Sequence, residues 1–392
     1  MEANEVRRKM MALWKETFHD SEEYIEMLFT RYFNPELVEY EANGPEIVAA
    51  MLGIPYEFGG EQSRIKGLYL CGLATKQKMR GQGIMTRLLE RMNEKAKKKG
   101  YCFTFLIPET ELLVRYYSHR GYVSAFYRSE KNYTSVHDFA AEYEVLLEAQ
   151  KGNVADLKRR YFASLSGCRL DESTAPAVTD AIIALMVADE MQQCDLEVLH
   201  NLDDIHTIIK ENRISGGHIY YTANSQGTVT SVAFTTLVER SRVHVERIYS
   251  ADLCSTYRLL DYIKRTEADA GIRVYCKPKD SEYKELSKVH GMARLLNLDE
   301  ILKFQAEGHG DLKYSILVNG LKEGEIERFD IHGGNVKHRS IPLDSEEYDP
   351  SKTVISLRDV SCVLFRRPDK GSLITEAFGM PSLNGYISLM LD

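Results

Sequence analysis

At 392 residues the chain exceeds one compact domain of roughly 100–200 residues, and its net charge of −8, from 50 basic and 58 acidic side chains, argues against general binding to nucleic acid or to an anionic membrane. A composition that is 44% hydrophobic and 28% charged is ordinary for a soluble globular protein, no apolar run reaches the length that spans a bilayer, and the start MEANEVRRKMMALW lacks the apolar core of a signal peptide. Seven scattered cysteines with no CxxC pair read as thiols of a reducing cytoplasm, and HExxH, GxxxxGK[ST] and GxSxG are absent, so no metal, P-loop or serine-hydrolase chemistry is expected.

Along the chain, Leu13, Phe18, Tyr24, Met27, Leu28 and Tyr32 recur at helical spacing across residues 10–33. Residues 46–52 and 67–75 read as strands, with 62–66 as a loop between them. Residues 85–99 form an amphipathic helix: Met85, Leu88, Leu89, Met92 and Ala96 share one face, Arg87, Arg91, Lys95 and Lys99 another, and Gly100 stands at the C-cap. A short strand (101–107), a helix (111–118), Gly121 and a strand (122–127) follow. After a polar helical stretch (140–170), Gly216 and Gly217 precede a strand (218–223), a turn (224–227), two strands (228–239 and 242–250), a helix (255–270) and a strand (272–276). This order repeats that of residues 46–107 and suggests an internal duplication. Beyond 286, strands at 292–295 and 312–318 flank a helix at 298–306. Glycine turns at 319–320 and 333–334, a strand at 354–358, a helix from Asp359 and the apolar end YISLMLD complete the chain. The expected fold class is α/β (α+β), in three domains: 1–140, 141–285 and 286–392.

The informative stretch is 73–100, where a strand passes through Arg80-Gly81-Gln82-Gly83 into the basic helix. A pyrophosphate needs several backbone N–H groups converging near the positive end of a helix dipole, and glycine lets the anion approach. The spacing GxGxxG is absent, because Thr86 follows Gly83, and no acidic residue closes a strand about 20 residues on, which excludes a Rossmann cofactor.

Arg80-x-x-Gly83-x-Met85 instead resembles the R/Q-x-x-G-x-G/A signature of the GNAT acetyltransferases, with Met85 in place of the last small residue. Tyr117-Ser118-His119-Arg120-Gly121-Tyr122 stands where that family carries Y-x-x-x-G-F. The chain length and the C-terminal sheet further resemble the Eis (enhanced intracellular survival) type, with tandem GNAT folds and a sterol-carrier-protein-like domain. The resemblance implies acetyl-CoA as cosubstrate and an amine acceptor, either small and polyamine- or aminoglycoside-like or a lysine. It places the pantetheine on backbone groups of Leu73 and Thr75. It places the pyrophosphate at Arg80, Gly81, Gln82, Gly83, Ile84 and Met85, and makes Tyr117 the proton donor. It also makes the terminal carboxylate at Asp392 the base; Glu109 and Glu111, next to the strand expected to hold acetyl-CoA, are the alternatives. Tyr116 is expected to pack and His119 to be exposed. The corresponding turn of the second unit, in RIYSADLCSTYRLL (247–260), has no glycine and reads as structural. A non-catalytic CoA- or lipid-binding protein on the same scaffold is the alternative, and an assembly of identical chains is left open.

Overall fold

The computed structural model describes residues 1–392 apart from 150–153, 193–195, 240–241, 268–270, 278–286, 346, 348–351, 366–379, 384 and 390–392. The expected first helical stretch is two helices, α1 (Ala3–Phe18) and α2 (Glu22–Tyr32). His19 closes α1 at φ +62, and Ser21 restarts the helix by accepting a hydrogen bond from the Tyr24 N–H. Then come β1 (Val38–Asn43), β2 (Glu46–Gly59), β3 (Arg64–Thr75), α3 (Ile84–Lys98), β4 (Phe103–Leu106), α4 (Glu111–Ser118) and β5 (Val123–Tyr133). Residues 64–66, expected in a loop, extend β3.

The middle of the chain supplies α5 (Phe139–Ala149), α6 (Val154–Ser164), β6 (Ser166–Arg169), α7 (Pro176–Met191), β7 (Val198–Leu199) and α8 (Leu202–Ile214). It continues with β8 (His218–Ala223), β9 (Val229–Glu239), β10 (Arg242–Ser250), α9 (Leu253–Thr266) and β11 (Gly271–Cys276). The last part holds β12 (Lys288–Leu295), α10 (Leu298–Gly308), β13 (Lys313–Asn319), β14 (Glu325–His332), β15 (Asn335–Pro342), β16 (Ile355–Ser356) and α11 (Leu357–Leu364).

One large mixed sheet runs β1-β2-β3-β4-β12-β5-β11-β10-β9-β8-β6, and a separate small sheet runs β15-β14-β13-β16. In each half of the large sheet an antiparallel pair (β2 with β3, β9 with β10) is followed by a helical crossover to a parallel neighbour (β4 or β11). The halves then exchange their closing strands. β5 pairs with β11 from Ile272↔Tyr133 to Cys276↔Ser129, while β12 pairs with β4 from Met292↔Leu106 to Leu295↔Phe103. Residues 288–295 therefore belong to the large sheet, although they lie beyond the expected boundary at 286.

Alternation along β3 divides the core. Leu68 and Leu70 pack with Leu88, Leu89 and Met92 of α3, whereas Tyr69 and Cys71 join Trp14, Leu28 and Phe29 of α1 and α2 on the other face. Among the described residues no helix is long and apolar enough to cross a membrane, and no group of three or more His, Cys, Asp or Glu is placed to hold a metal.

A buried carboxylate–imidazole contact ties α7 to the chain ahead of α8. Glu190 accepts from His200 Nδ1 and from the His200 backbone N–H, both at 2.8 Å, and from the Tyr249 hydroxyl at 2.7 Å. Burial pushes the Glu190 carboxyl up, but His200 and these donors outweigh it and hold the carboxyl below its ordinary value. A depressed folded-state pKa contributes stability above the unfolded value, which is lost as pH falls through the folded one. Glu190→Gln is therefore expected to cost about 2 kcal/mol at pH 7. In urea unfolding the gap from the wild type should close below about pH 4; a gap that persists at acid pH contradicts the assignment.

Candidate functional site

The site is built where β3 and β4 part. They pair in parallel from Gly67↔Phe103 to Tyr69↔Phe105 and no further. On its other edge β3 pairs Cys71 with Leu52 and then Ala74 with Ala50, so β3 carries one extra residue. Gly72 forms this bulge at φ +60. A β-carbon there would overlap Cζ3 of Trp14 and lie 2.6 Å from Cε3, so the strand needs glycine both for its backbone and for its neighbour. Beyond the bulge, Leu73 and Thr75 line a cleft of about 650 Å³.

Arg80, Gly81, Gly83, Ile84 and Met85 line the same cleft. Gly81 and Gly83 take φ of +79 and +71, and a β-carbon on Gly81 would have nothing within 4 Å. α3 starts with no side-chain cap and no acidic residue in its first turn. Among the described residues, the N–H groups of Gly81, Gln82, Gly83, Ile84 and Met85 have no acceptor. Arginines hold the turn in shape: Arg80 Nε donates to the Thr75 carbonyl at 3.0 Å, and Arg87 Nη1 to the Gln82 carbonyl at 3.1 Å. The Gln82 side chain is exposed and not part of the wall. Such a helix start attracts an anion. The matching start of α9 repels one, because the Asp252 carboxylate already accepts from the Ser255 N–H at 2.7 Å.

α4 brings Tyr117 to the opposite wall, its N-terminus capped by the Thr110 hydroxyl, which accepts from the Leu113 N–H at 3.3 Å. Tyr117 is 7% exposed, and its ring lies edge-on to Tyr116 at 5.2 Å and to Tyr122 at 5.9 Å. Burial, then the neighbouring tyrosines, push its hydroxyl well above the ordinary phenol range, so it keeps its proton. Tyr116 was expected only to pack, but it also lines the cleft, under the Arg120 guanidinium at 3.4 Å from its ring centre. Arg120 in turn donates to the Thr86 hydroxyl at 2.9 Å and to the Tyr116 carbonyl at 2.6 Å.

Glu109 lies in the cleft wall. Glu111 is exposed in the first turn of α4, outside the wall, and His119 is exposed with Nδ1 2.7 Å from the Arg115 carbonyl. Asp392 lies outside the described residues. Before it, Ile387 packs over Gly291 of β12, where a β-carbon would meet Ile387 Cδ1 at 2.9 Å and the Leu106 carbonyl, at the end of β4, at 3.4 Å. Thr17 and Phe18 of α1 complete the wall. Their part in it was not foreseen, and neither was the bulge, although an isolated glycine inside the apolar run LYLCGLAT signals one.

The model of the acetyltransferase (GNAT) domain family matches residues 3–125. Over these residues the chain is similar to the GNAT acetyltransferases. No curated protein matches the chain by sequence. Among solved structures, a GCN5-related N-acetyltransferase from Kribbella flavida superposes with a TM-score of 0.63 at 14% identity, over 100% of this chain and 98% of that one. A conserved protein of unknown function from Enterococcus faecalis V583, described as a probable N-acyltransferase, gives 0.63 at 11%, over 86% and 83%. Eis1 from Mycobacterium abscessus gives 0.62 at 10%, over 96% and 90%. At such identities the likeness is one of fold, and it reaches well beyond residues 3–125.

Proposed function

We propose that the chain is an acetyl-CoA-dependent N-acetyltransferase of the Eis type. Its transfer centre would lie in the GNAT domain, followed by a second GNAT-like unit and a sterol-carrier-like C-terminal part. One observation carries the reading: among the described residues, five consecutive backbone N–H groups at an uncapped helix start beside Arg80 have no acceptor, and Gly81, Gly83, Ile84 and Met85 of that turn share a cleft with Tyr117. The turn fits a pyrophosphate, since among the described residues nothing lies within 4 Å of a β-carbon on Gly81. Leu73 and Thr75, on the β3 edge that β4 has left, are placed to pair with an amide-bearing arm.

Bound acetyl-CoA supplies an activated acetyl carbonyl and a thiolate leaving group. The acceptor nitrogen bonds to the carbonyl carbon as the carbon–sulfur bond breaks, and the amine must shed a proton to do so. An alkylamine with a pKa near 10.4 pays about 4–5 kcal/mol for deprotonation at neutral pH without assistance. Glu109, the carboxylate that the described residues bring to the wall, takes that proton. Tyr117, held protonated by burial, gives its own to the sulfur.

Gly83→Val tests the cradle. A β-carbon there meets nothing closer than Arg87 Nη1 at 3.6 Å, so the fold survives with a strain of about 1–2 kcal/mol from the positive φ. Calorimetry should show acetyl-CoA affinity falling at least about tenfold, as the isopropyl group holds the phosphates away. Unchanged affinity in a folded variant overturns the reading.

A further inference from the structure

A second cavity, of about 510 Å³, opens between α8, β9, β10, β11, β12 and the segment 386–389. It lies on the sheet face away from α9: Val243 and Val245 pack with Leu259 and Ile263 of that helix, whereas His244 and Glu246 line the cavity. Its walls share no residue with those of the cleft at α3.

Two carboxylates meet there, Glu246 with one cationic partner and Glu211 with none among the described residues. Among the described residues Glu211 has the Ser215 hydroxyl, at 3.2 Å. Glu246 has the Thr236 hydroxyl at 3.0 Å, and Arg128 stands 3.6 Å away with its guanidinium stacked 3.8 Å from the centre of the Tyr275 ring. Glu246 is 29% exposed at its side chain, yet burial raises its carboxyl. Burial, with some help from Glu246 and against the Ser215 bond, raises Glu211 to about 7. A group that solvent reaches and that is still desolvated faces an enclosed space rather than open water.

The neutral groups add acceptors. Asn212 is 5% exposed; its Nδ2 donates to the Thr235 carbonyl at 3.0 Å, which leaves Oδ1 buried without a partner among the described residues. A buried polar atom of this kind calls for a donor. His290 is pushed down to about 3 by burial and by Arg128, so it brings a lone pair instead of a charge. Ile208, Phe234 and Leu389 supply apolar walls. Acceptors around an apolar lining suit a cation on an alkyl chain.

We propose that this cavity is a binding site for alkylammonium compounds, seated between Glu211 and Glu246. The site stands independently of the acetyl-transfer reading, because it needs neither CoA nor turnover.

The probe is 1,5-diaminopentane, doubly charged from pH 6 to pH 8, titrated calorimetrically into the full chain without acetyl-CoA. Deprotonation of Glu211 across this range makes binding about tenfold tighter at pH 8 than at pH 6. The other titratable or charged groups facing the cavity are Glu246 and His244 on β10, Arg128 on β5, His290 on β12 and Tyr386. Burial raises the Glu246 carboxyl and keeps His290 and Tyr386 neutral across this range. Glu211→Gln, which keeps the side-chain shape, should weaken binding at pH 8 by about tenfold and flatten the pH dependence; Glu246→Gln should weaken it comparably. Either variant suffices should the other fail to fold. The proposal is overturned by no saturable binding at millimolar diamine, by equal affinity at the two pH values, by wild-type affinity in a folded variant, or by 1-pentanol binding as tightly as the diamine.

Discussion

Gly72→Ala is expected to cost about 3 kcal/mol or more, a large effect for one added methyl group. An L-residue at φ +60 is strained by about 1 kcal/mol or more. The new carbon would also run into the Trp14 ring, which has little room to yield. Trp14 packs edge-on to Phe29 at 5.8 Å and against Phe18 at 5.0 Å, and its Nε1 donates to Asp20 at 2.7 Å. Overpacking against such a neighbour adds about 1–3 kcal/mol. Any relief moves the end of α1, and with it Thr17 and Phe18 in the cleft wall. Gly81→Ala is the control: φ is +79 there, but nothing lies within 4 Å of the new carbon, so only the backbone strain remains. Urea unfolding should place Gly72→Ala at least about 2 kcal/mol below Gly81→Ala. Equal midpoints would show that the bulge does not depend on glycine.

Tyr117→Phe should lower kcat by about 10²-fold or more and leave KM for acetyl-CoA within about twofold. The substitution removes one hydroxyl and no ring, so the contacts with Tyr116 and Tyr122 remain. Because the hydroxyl is held above the ordinary phenol range, loss of its proton should not limit the wild-type rate up to about pH 9. Tyr116→Phe separates this role from packing: it keeps the ring under Arg120 and should leave kcat nearly unchanged. Steady-state kinetics on the two variants decides the matter. Equal rates for Tyr117→Phe and the wild type return Tyr117 to the core.

Local features were the legible ones. The apolar stripe Leu88, Leu89, Met92, Ala96 and the glycines on either side set α3 nearly to the residue, and Gly121 marked the end of α4. The strand–helix–strand order of 242–276 was equally plain. What escaped was non-local or depended on one residue's exchange of roles. The pairing of β12 with β4 joins residues 292–295 to 103–106, and no local pattern encodes a partner so distant. The break between α1 and α2 lay in His-Asp-Ser at 19–21, a capping signal hidden inside an otherwise helical spacing. Arg64 and Lys66 made their segment look like a loop, but they are the outward side chains of a strand whose inward residue, Ile65, is buried. At the cleft, the signature marked the floor and Tyr117, whereas Phe18, Tyr116 and Arg120 reach it through folding and packing that the motif does not describe.

The most direct measurement is release of free thiol from acetyl-CoA by the full chain, followed against a panel of alkylamines, aminoglycosides and a lysine peptide. The account predicts amine-dependent release with at least one class, one acetylated amine per thiol, and a loss of about 10²-fold in Tyr117→Phe. Tight binding of acetyl-CoA with no release above the amine-free rate for any of the amines would contradict it, and would leave the cleft a binding site without transfer.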